Sequence, residues 1–127
     1  MINQTNYIKD FIEVLNKIDY KIVIQISNIL INSFNNGGKV IACGNGGSYS
    51  DADHFIGEIQ GRYKKNNAKP LPGILLNPGG ASGSAISNDY AYEECFARLL
   101  NPLLNEKDVL ICLSTSGKSK NILNVLE

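Results

Sequence analysis

Asp51, His54 and Glu58 are spaced i, i+3 and i+7, so on a helix they share one face. A histidine and a carboxylate one turn apart can ligate one metal ion or share a proton-transfer task. The spacing equally suits a solvated face on which Glu58 pairs with Arg62 one turn later, a common helix ion pair. His54 is the only histidine, so the chain builds no multi-histidine metal site by itself.

Two polar turns accompany this face. Gly44-Asn45-Gly46-Gly47-Ser48 follows the apolar run Lys39–Cys43 and precedes the helical pattern of Ala52, Phe55, Ile56 and Ile59. Glycines without Cβ reach positive φ and let a ligand approach the main chain. Ser48 is placed to cap the helix, with Asp51 and Asp53 suited to its positive first turn. The second turn, Ser114-Thr115-Ser116-Gly117-Lys118-Ser119, follows the strand-like Val109–Leu113 and leads into a helix near Ser119. Hydroxyls and free N–H groups there suit phosphate. Taken singly, the first is also an ordinary tight turn and the second a serine-rich N-cap loop. The spacing GxxxxGK[ST] is absent, which argues against a nucleoside triphosphate site. Parallel strands joined by right-handed crossovers bring such turns to one sheet edge, where ligands bind.

The elements that must position these residues follow from periodicity. Asn6–Ile18 and Tyr20–Asn36 read as helices, the second apolar over most of its circumference and so to be covered on more than one side. The sheet is one cover; the first helix or another subunit is the other. Gly37-Gly38 stops it. Tyr63–Pro72 reads as an exposed loop and Leu71–Leu76 as the second strand, ended by Asn77-Pro78-Gly79-Gly80. Ala81–Ser87 suggests a short helical turn. Asn88-Asp89 precedes a helix over Tyr90–Leu100, with Tyr92, Cys95, Phe96, Leu99 and Leu100 inward. Asn105–Asp108 is a turn before the third strand.

A length of 127 residues suits one domain with a real core. Zero formal net charge gives no bias toward nucleic acid or anionic membrane, and the basic cluster Arg62-Tyr63-Lys64-Lys65 reads as a solvated loop. Cys43, Cys95 and Cys112 form no CxxC pair and fit free thiols in a reducing cytoplasm. The N-terminus lacks the pattern of a signal peptide, and Ile22–Ile31 is too short and polar to span a bilayer.

In their order, GNGGS, DADHFIGEIQGR, AISNDYAYEECFARLL and DVLICLSTSGKS resemble the phosphoheptose isomerases of the sugar-isomerase (SIS) domain superfamily. The resemblance implies an α/β fold: a three-layer parallel sheet flanked by helices, flavodoxin- or Rossmann-like. Residues 1–36 would form an N-terminal helical hairpin for packing and oligomerisation, and residues 37–127 a partial, C-terminally incomplete SIS domain. It implies an aldose–ketose isomerase acting on sedoheptulose 7-phosphate to give glycero-manno-heptose 7-phosphate for lipopolysaccharide or capsule, in a cytoplasmic, zinc-binding homotetramer. Carried onto this sequence, Asn45, Gly46, Gly47 and Ser48 would touch substrate. His54 and Glu58 would ligate zinc, with Glu58 also moving a proton. Asn88 and Asp89 would contact sugar hydroxyls, and Ser114, Thr115, Ser116 and Ser119 would hold phosphate. The glutamine and second histidine that complete the family's zinc site are expected beyond Glu127. The isolated chain is therefore expected to bind zinc weakly and turn over little substrate. Two alternatives share this fold: a non-catalytic relative that binds a replication initiator protein, which would lack the glutamate present here as Glu58, and a phosphosugar sensor.

Overall fold

In the computed structural model, which describes residues 4–61, 64 and 67–127, three parallel strands form the centre of the chain. They are β1 (Val40–Gly44), β2 (Gly73–Leu75) and β3 (Val109–Leu113), in the order β2-β1-β3. Among the described residues six α-helices accompany them: α1 (Gln4–Asn16), α2 (Tyr20–Asn35), α3 (Gly47–Gln60), α4 (Gly80–Asp89), α5 (Cys95–Leu100) and α6 (Lys120–Asn124). A single 3₁₀ turn, Tyr92–Glu94, leads into α5.

The central strand explains the layering. Successive strand residues point to opposite faces. Val40 and Ala42 pack with Ala52 and Ile56 of α3 and with Leu30 and Phe34 of α2. Ile41 and Cys43 pack on the other side with Phe96 and Leu100 of α5, Ile122 of α6 and Val125. All four of these β1 side chains are fully buried, as expected for a parallel strand covered on both faces.

The two outer helices differ in what they bury. Leu30 and Phe34 give α2 its grip on the sheet, and the buried Ser33 hydroxyl donates to the Lys107 carbonyl at 2.6 Å. The rest of its apolar surface, including Ile22, Ile24, Ile26 and Ile29, is exposed, as are Ile8, Phe11, Ile12 and Leu15 of α1. Within one chain, then, the sheet covers α2 on one side only.

Asp108 pins the start of the sheet. Its fully buried carboxylate accepts the Lys39 N–H at 3.0 Å and the Asn105 N–H at 2.9 Å, and pairs with the Lys39 ammonium. Beyond it β1 and β3 run in register to their last residues, Cys43 beside Cys112 and Gly44 beside Leu113. The Cys43 thiol lies 3.5 Å from Cys112 Sγ, and all three cysteines are free.

Three expectations change. Ser48 does not cap α3: the cap position is Gly46, at φ 55° and ψ −121°, and no side chain caps the helix. That backbone conformation favours glycine, and it starts the helix before Ser48 is reached, leaving Asp51 and Asp53 past the first turn. The segment after β2 is a ten-residue helix, α4, not a short turn, and Asn88 and Asp89 are its last residues as well as preceding the helical stretch that begins at Tyr92. Its small residues allow this: a Cβ on Gly83 would lie 1.6 Å from the Pro78 carbonyl oxygen. The helix expected from Tyr90 is broken, because Tyr90 and Ala91 leave helical geometry before the 3₁₀ turn. Arg98 then stacks 3.5 Å from the Tyr90 ring centroid. Arg62, Tyr63, Lys65 and Asn66 lie outside the described residues, and with them the Glu58–Arg62 pair and most of the basic cluster.

Candidate functional site

Because Gly44 stands opposite Leu113 on adjacent parallel strands, the chain leaves the sheet at Asn45 and Ser114 side by side. Neighbouring strands are about 4.8 Å apart, so the two polar turns share one edge of the molecule. β2 ends at the same edge, where the Leu76 N–H bonds the Ala42 carbonyl and Asn77-Pro78-Gly79 follows.

Side chains tie these turns together. Asn45 and Asn121, the second residue of α6, form a reciprocal carboxamide pair: each Nδ2 donates to the other's Oδ1 at 2.9 Å. The Tyr92 hydroxyl donates to the same Asn45 oxygen at 2.9 Å. Two recesses open around this cluster. One, of about 240 Å³, lies among Asn45, Gly46, Tyr49, Pro78 and Tyr92; the other, of about 310 Å³, among Asn45, Tyr92, Glu93, Ser119 and Asn121. Burial pushes the Tyr92 hydroxyl above the ordinary tyrosine range, so at neutral pH it remains a donor.

The second turn is ordered by its own hydroxyls. Ser114 Oγ accepts from the Gly117 N–H at 3.1 Å, and Ser116 Oγ from the Lys118 N–H at 3.2 Å. Each hydroxyl keeps its own hydrogen to donate outward. Gly117, at φ 61°, makes the bend, and Ser119 occupies the cap position of α6. Thr115 is exposed beside them.

His54 and Glu58 lie elsewhere on α3. His54 Nε2 is 3.3 Å from Glu58 Oε1, with the histidine side chain 79% and the glutamate 41% exposed. With Asp51, Phe55, Lys69 and Leu71 they line a recess of about 580 Å³ that shares no residue with the two at Asn45. His54 is seven residues beyond Gly47 and Glu58 eleven, roughly 10 and 16 Å along the helix. Asn88 and Asp89 sit exposed at the end of α4, where Asn88 Nδ2 donates to Asp89 Oδ1 at 2.8 Å. The structure therefore joins the two turns and places His54 and Glu58 in a separate recess farther along α3, while Asn88 and Asp89 end α4 three or four residues before Tyr92, which bonds Asn45. Among the described residues no group of three His, Cys, Asp or Glu side chains is disposed to hold a metal ion. His54 and Glu58 supply two of the four positions that tetrahedral zinc takes.

Asn121 and Tyr92 were not among the residues singled out from sequence as ligand-binding. The signal that could have found Asn121 is a polar side chain immediately after the Ser119 cap, where the helix must pack inward.

A parallel three-stranded sheet between helical layers, with hydroxyl- and glycine-bearing turns at its C-terminal edge, defines a layered α/β domain of the kind that binds ligands at that edge. Residues 5–127 match the family model described as SIS domain, and the chain belongs to that family. The relatives it resembles are phosphoheptose isomerases. That of Campylobacter jejuni serotype O:2, phosphoheptose isomerase 1, is 49% identical over 105 residues, 83% of this chain and 56% of the relative. That of Helicobacter pylori strain P12 is 50% identical over 103 residues, 81% and 53% of the two chains. Among solved structures, a phosphoheptose isomerase from Francisella tularensis superposes with a TM-score of 0.83 at 35% identity, covering 94% of this chain and 61% of that one. Phosphoheptose isomerase GmhA from Neisseria gonorrhoeae gives 0.81 at 31% identity, covering 97% and 66%. The chain spans about half the length of the curated relatives it matches.

Proposed function

We propose that this chain forms the phosphosugar-binding part of an aldose–ketose isomerase that converts sedoheptulose 7-phosphate to D-glycero-D-manno-heptose 7-phosphate. The product would feed the heptose of surface polysaccharide, lipopolysaccharide or capsule. The observation that carries the reading is the pairing of Gly44 with Leu113, which opens both polar turns at one edge, closed by the Asn45–Asn121 pair. The similarity to phosphoheptose isomerases supports the substrate and the reaction.

In this reading Ser114, Thr115, Ser116 and Ser119 donate hydroxyl hydrogens to the phosphate. Asn45, Gly46, Gly47 and Ser48 bind the sugar, and Asn88 and Asp89 its hydroxyls. Anchoring a remote phosphate supplies binding energy that orients the reacting carbons. The isomerisation removes a C–H proton beside a carbonyl and returns one to the neighbouring carbon, so it needs a base and positive character at the developing oxyanion. Glu58 is the base proposed here. The reading requires the carbonyl end of the sugar to reach the α3 face while its phosphate stays at the second turn. His54 and Glu58 would hold zinc only with further ligands from outside the described residues; such an ion supplies charge that polarises a carbonyl.

The exposed apolar faces of α1 and α2 are the proposed assembly surface of a homotetramer. No helix among the described residues is long and apolar enough to cross a membrane, and a cytoplasmic location with no nucleic-acid partner is part of the proposal. The separation of the α3 recess from the two turns favours one second reading, a phosphosugar-binding module without turnover.

Glu58→Gln tests both, made in the chain as its source encodes it, because these 127 residues alone are expected to turn over little substrate. Calorimetry with sedoheptulose 7-phosphate should show binding to wild type and variant alike, while turnover in the variant falls at least about 100-fold. Binding without turnover in either protein selects the second reading. Failure of wild type to bind the sugar phosphate refutes both.

A further inference from the structure

The Asn45 carboxamide is held more fully than its place on a ligand-binding turn requires. A primary carboxamide has two acceptor lone pairs and two N–H donors. Both lone pairs of Asn45 Oδ1 are used, one by the Tyr92 hydroxyl and one by Asn121 Nδ2, each at 2.9 Å. One Nδ2 hydrogen is used by Asn121 Oδ1, also at 2.9 Å. A single N–H remains.

The holding groups are themselves fixed. Asn121 is only 3% exposed, and its Nδ2 also faces Cys95 Sγ at 3.6 Å. One turn on, Asn124 Nδ2 donates to the Glu93 carbonyl and to Glu94 Oε1, each at 3.3 Å, so α6 is docked on the 3₁₀ turn that carries Tyr92. A buried carboxamide is costly unless paired. Here its pairing reaches across 76 residues to Asn45.

We infer that Asn121, assisted by Tyr92, is a positioning residue that locks the Asn45 carboxamide so that it meets a ligand only as a hydrogen-bond donor. The turn then selects an acceptor oxygen, such as a ketose carbonyl or a phosphate oxygen, over a group that can only donate. This deepens the phosphosugar reading and rests on it for the identity of the ligand. The clamp also fixes the spacing of the two turns, since Asn45 belongs to the first and Asn121 follows the second directly.

The test uses ¹⁵N-resolved NMR of side-chain carboxamides and calorimetry with sedoheptulose 7-phosphate on wild type, Asn121→Ala, Tyr92→Phe, Asn45→Ala and the double variant Asn45→Ala/Asn121→Ala. In wild type the Asn45 NH₂ pair should be dispersed away from exposed asparagines, and Asn121→Ala should collapse it toward them. Affinity should fall roughly fivefold to tenfold in Asn121→Ala, the worth of about one hydrogen bond. That loss should vanish in the Asn45→Ala background, whereas a merely structural role would leave the two losses additive. Additive losses, or an Asn45 signal unmoved by Asn121→Ala, overturn the proposal. If Asn121→Ala does not fold, Tyr92→Phe decides. It removes one hydroxyl from a half-exposed ring and should shift the Asn45 signal and weaken binding; no shift refutes the clamp. Absence of phosphosugar binding by wild type sinks the functional reading, while the NMR response still decides the clamp.

Discussion

Replacing Asp108 by alanine should loosen the end of the sheet opposite the two ligand turns. Its carboxylate is fully buried and satisfies two backbone N–H groups, of Lys39 and Asn105, besides the Lys39 ammonium. Hydrogen bonds to a charged group contribute about 1.5–3 kcal/mol each, and breaking a buried pair by deleting one partner costs about 3–5 kcal/mol. The Lys39 side chain retains 20% exposure and can recover part of its hydration, so the lower end, about 3 kcal/mol, is expected. For a chain of this size that lowers Tm by roughly 10 °C. The pH dependence carries a sign. Burial alone would raise the Asp108 pKa, but the Lys39 side-chain bond and the Lys39 and Asn105 backbone bonds outweigh it and hold the carboxyl below its usual range. A carboxyl lowered on folding contributes its stability above the unfolded pKa, about 3.9, and loses it as pH falls through the folded value. Urea unfolding at pH 7, 5, 4 and 3 should therefore show a constant gap between wild type and Asp108→Ala down to about pH 4, narrowing below it. A gap under about 0.5 kcal/mol at pH 7, or one that stays constant to pH 3, would refute the account of this anchor.

Two further outcomes follow from packing and thiol chemistry. Gly83→Ala forces a Cβ to within 1.6 Å of the Pro78 carbonyl oxygen, so α4 must shift bodily; circular dichroism melting should show a Tm at least about 10 °C lower, and an unchanged Tm would contradict the close approach. The hydrogen bond from Cys43 lowers the pKa of Cys112, while that same bond and burial raise Cys43, and burial raises Cys95. Alkylation of native protein followed by peptide mass spectrometry should label Cys112 well before the others, and preferential labelling of Cys43 would reverse the reading.

How far the sequence disclosed this arrangement depends on the range of the forces involved. Val109–Leu113 is found as read, because a β-branched run between turn residues carries its own signal. The four motifs of the SIS family identify the domain and its parallel sheet. Lys39–Cys43 and Leu71–Leu76 shift or shorten to Val40–Gly44 and Gly73–Leu75, since pairing partners trim strand ends. Ser48 is a sound cap by type, but Gly46 turns the chain two residues earlier. The break at Tyr90–Ala91 has no local glycine or proline to announce it and belongs to tertiary packing. Asn121 and Tyr92 escaped notice as site residues for the same reason. Their meaning lies in a partner 76 and 47 residues away, where no periodicity can show it.

The most direct measurement is a backbone amide NMR titration of the chain with sedoheptulose 7-phosphate. Residues 45–48 and 114–119 should shift together along one saturation curve, with one dissociation constant, as expected for a single ligand spanning both turns. Shifts confined to one turn, or found only around His54, Glu58 and Leu71, would contradict the account.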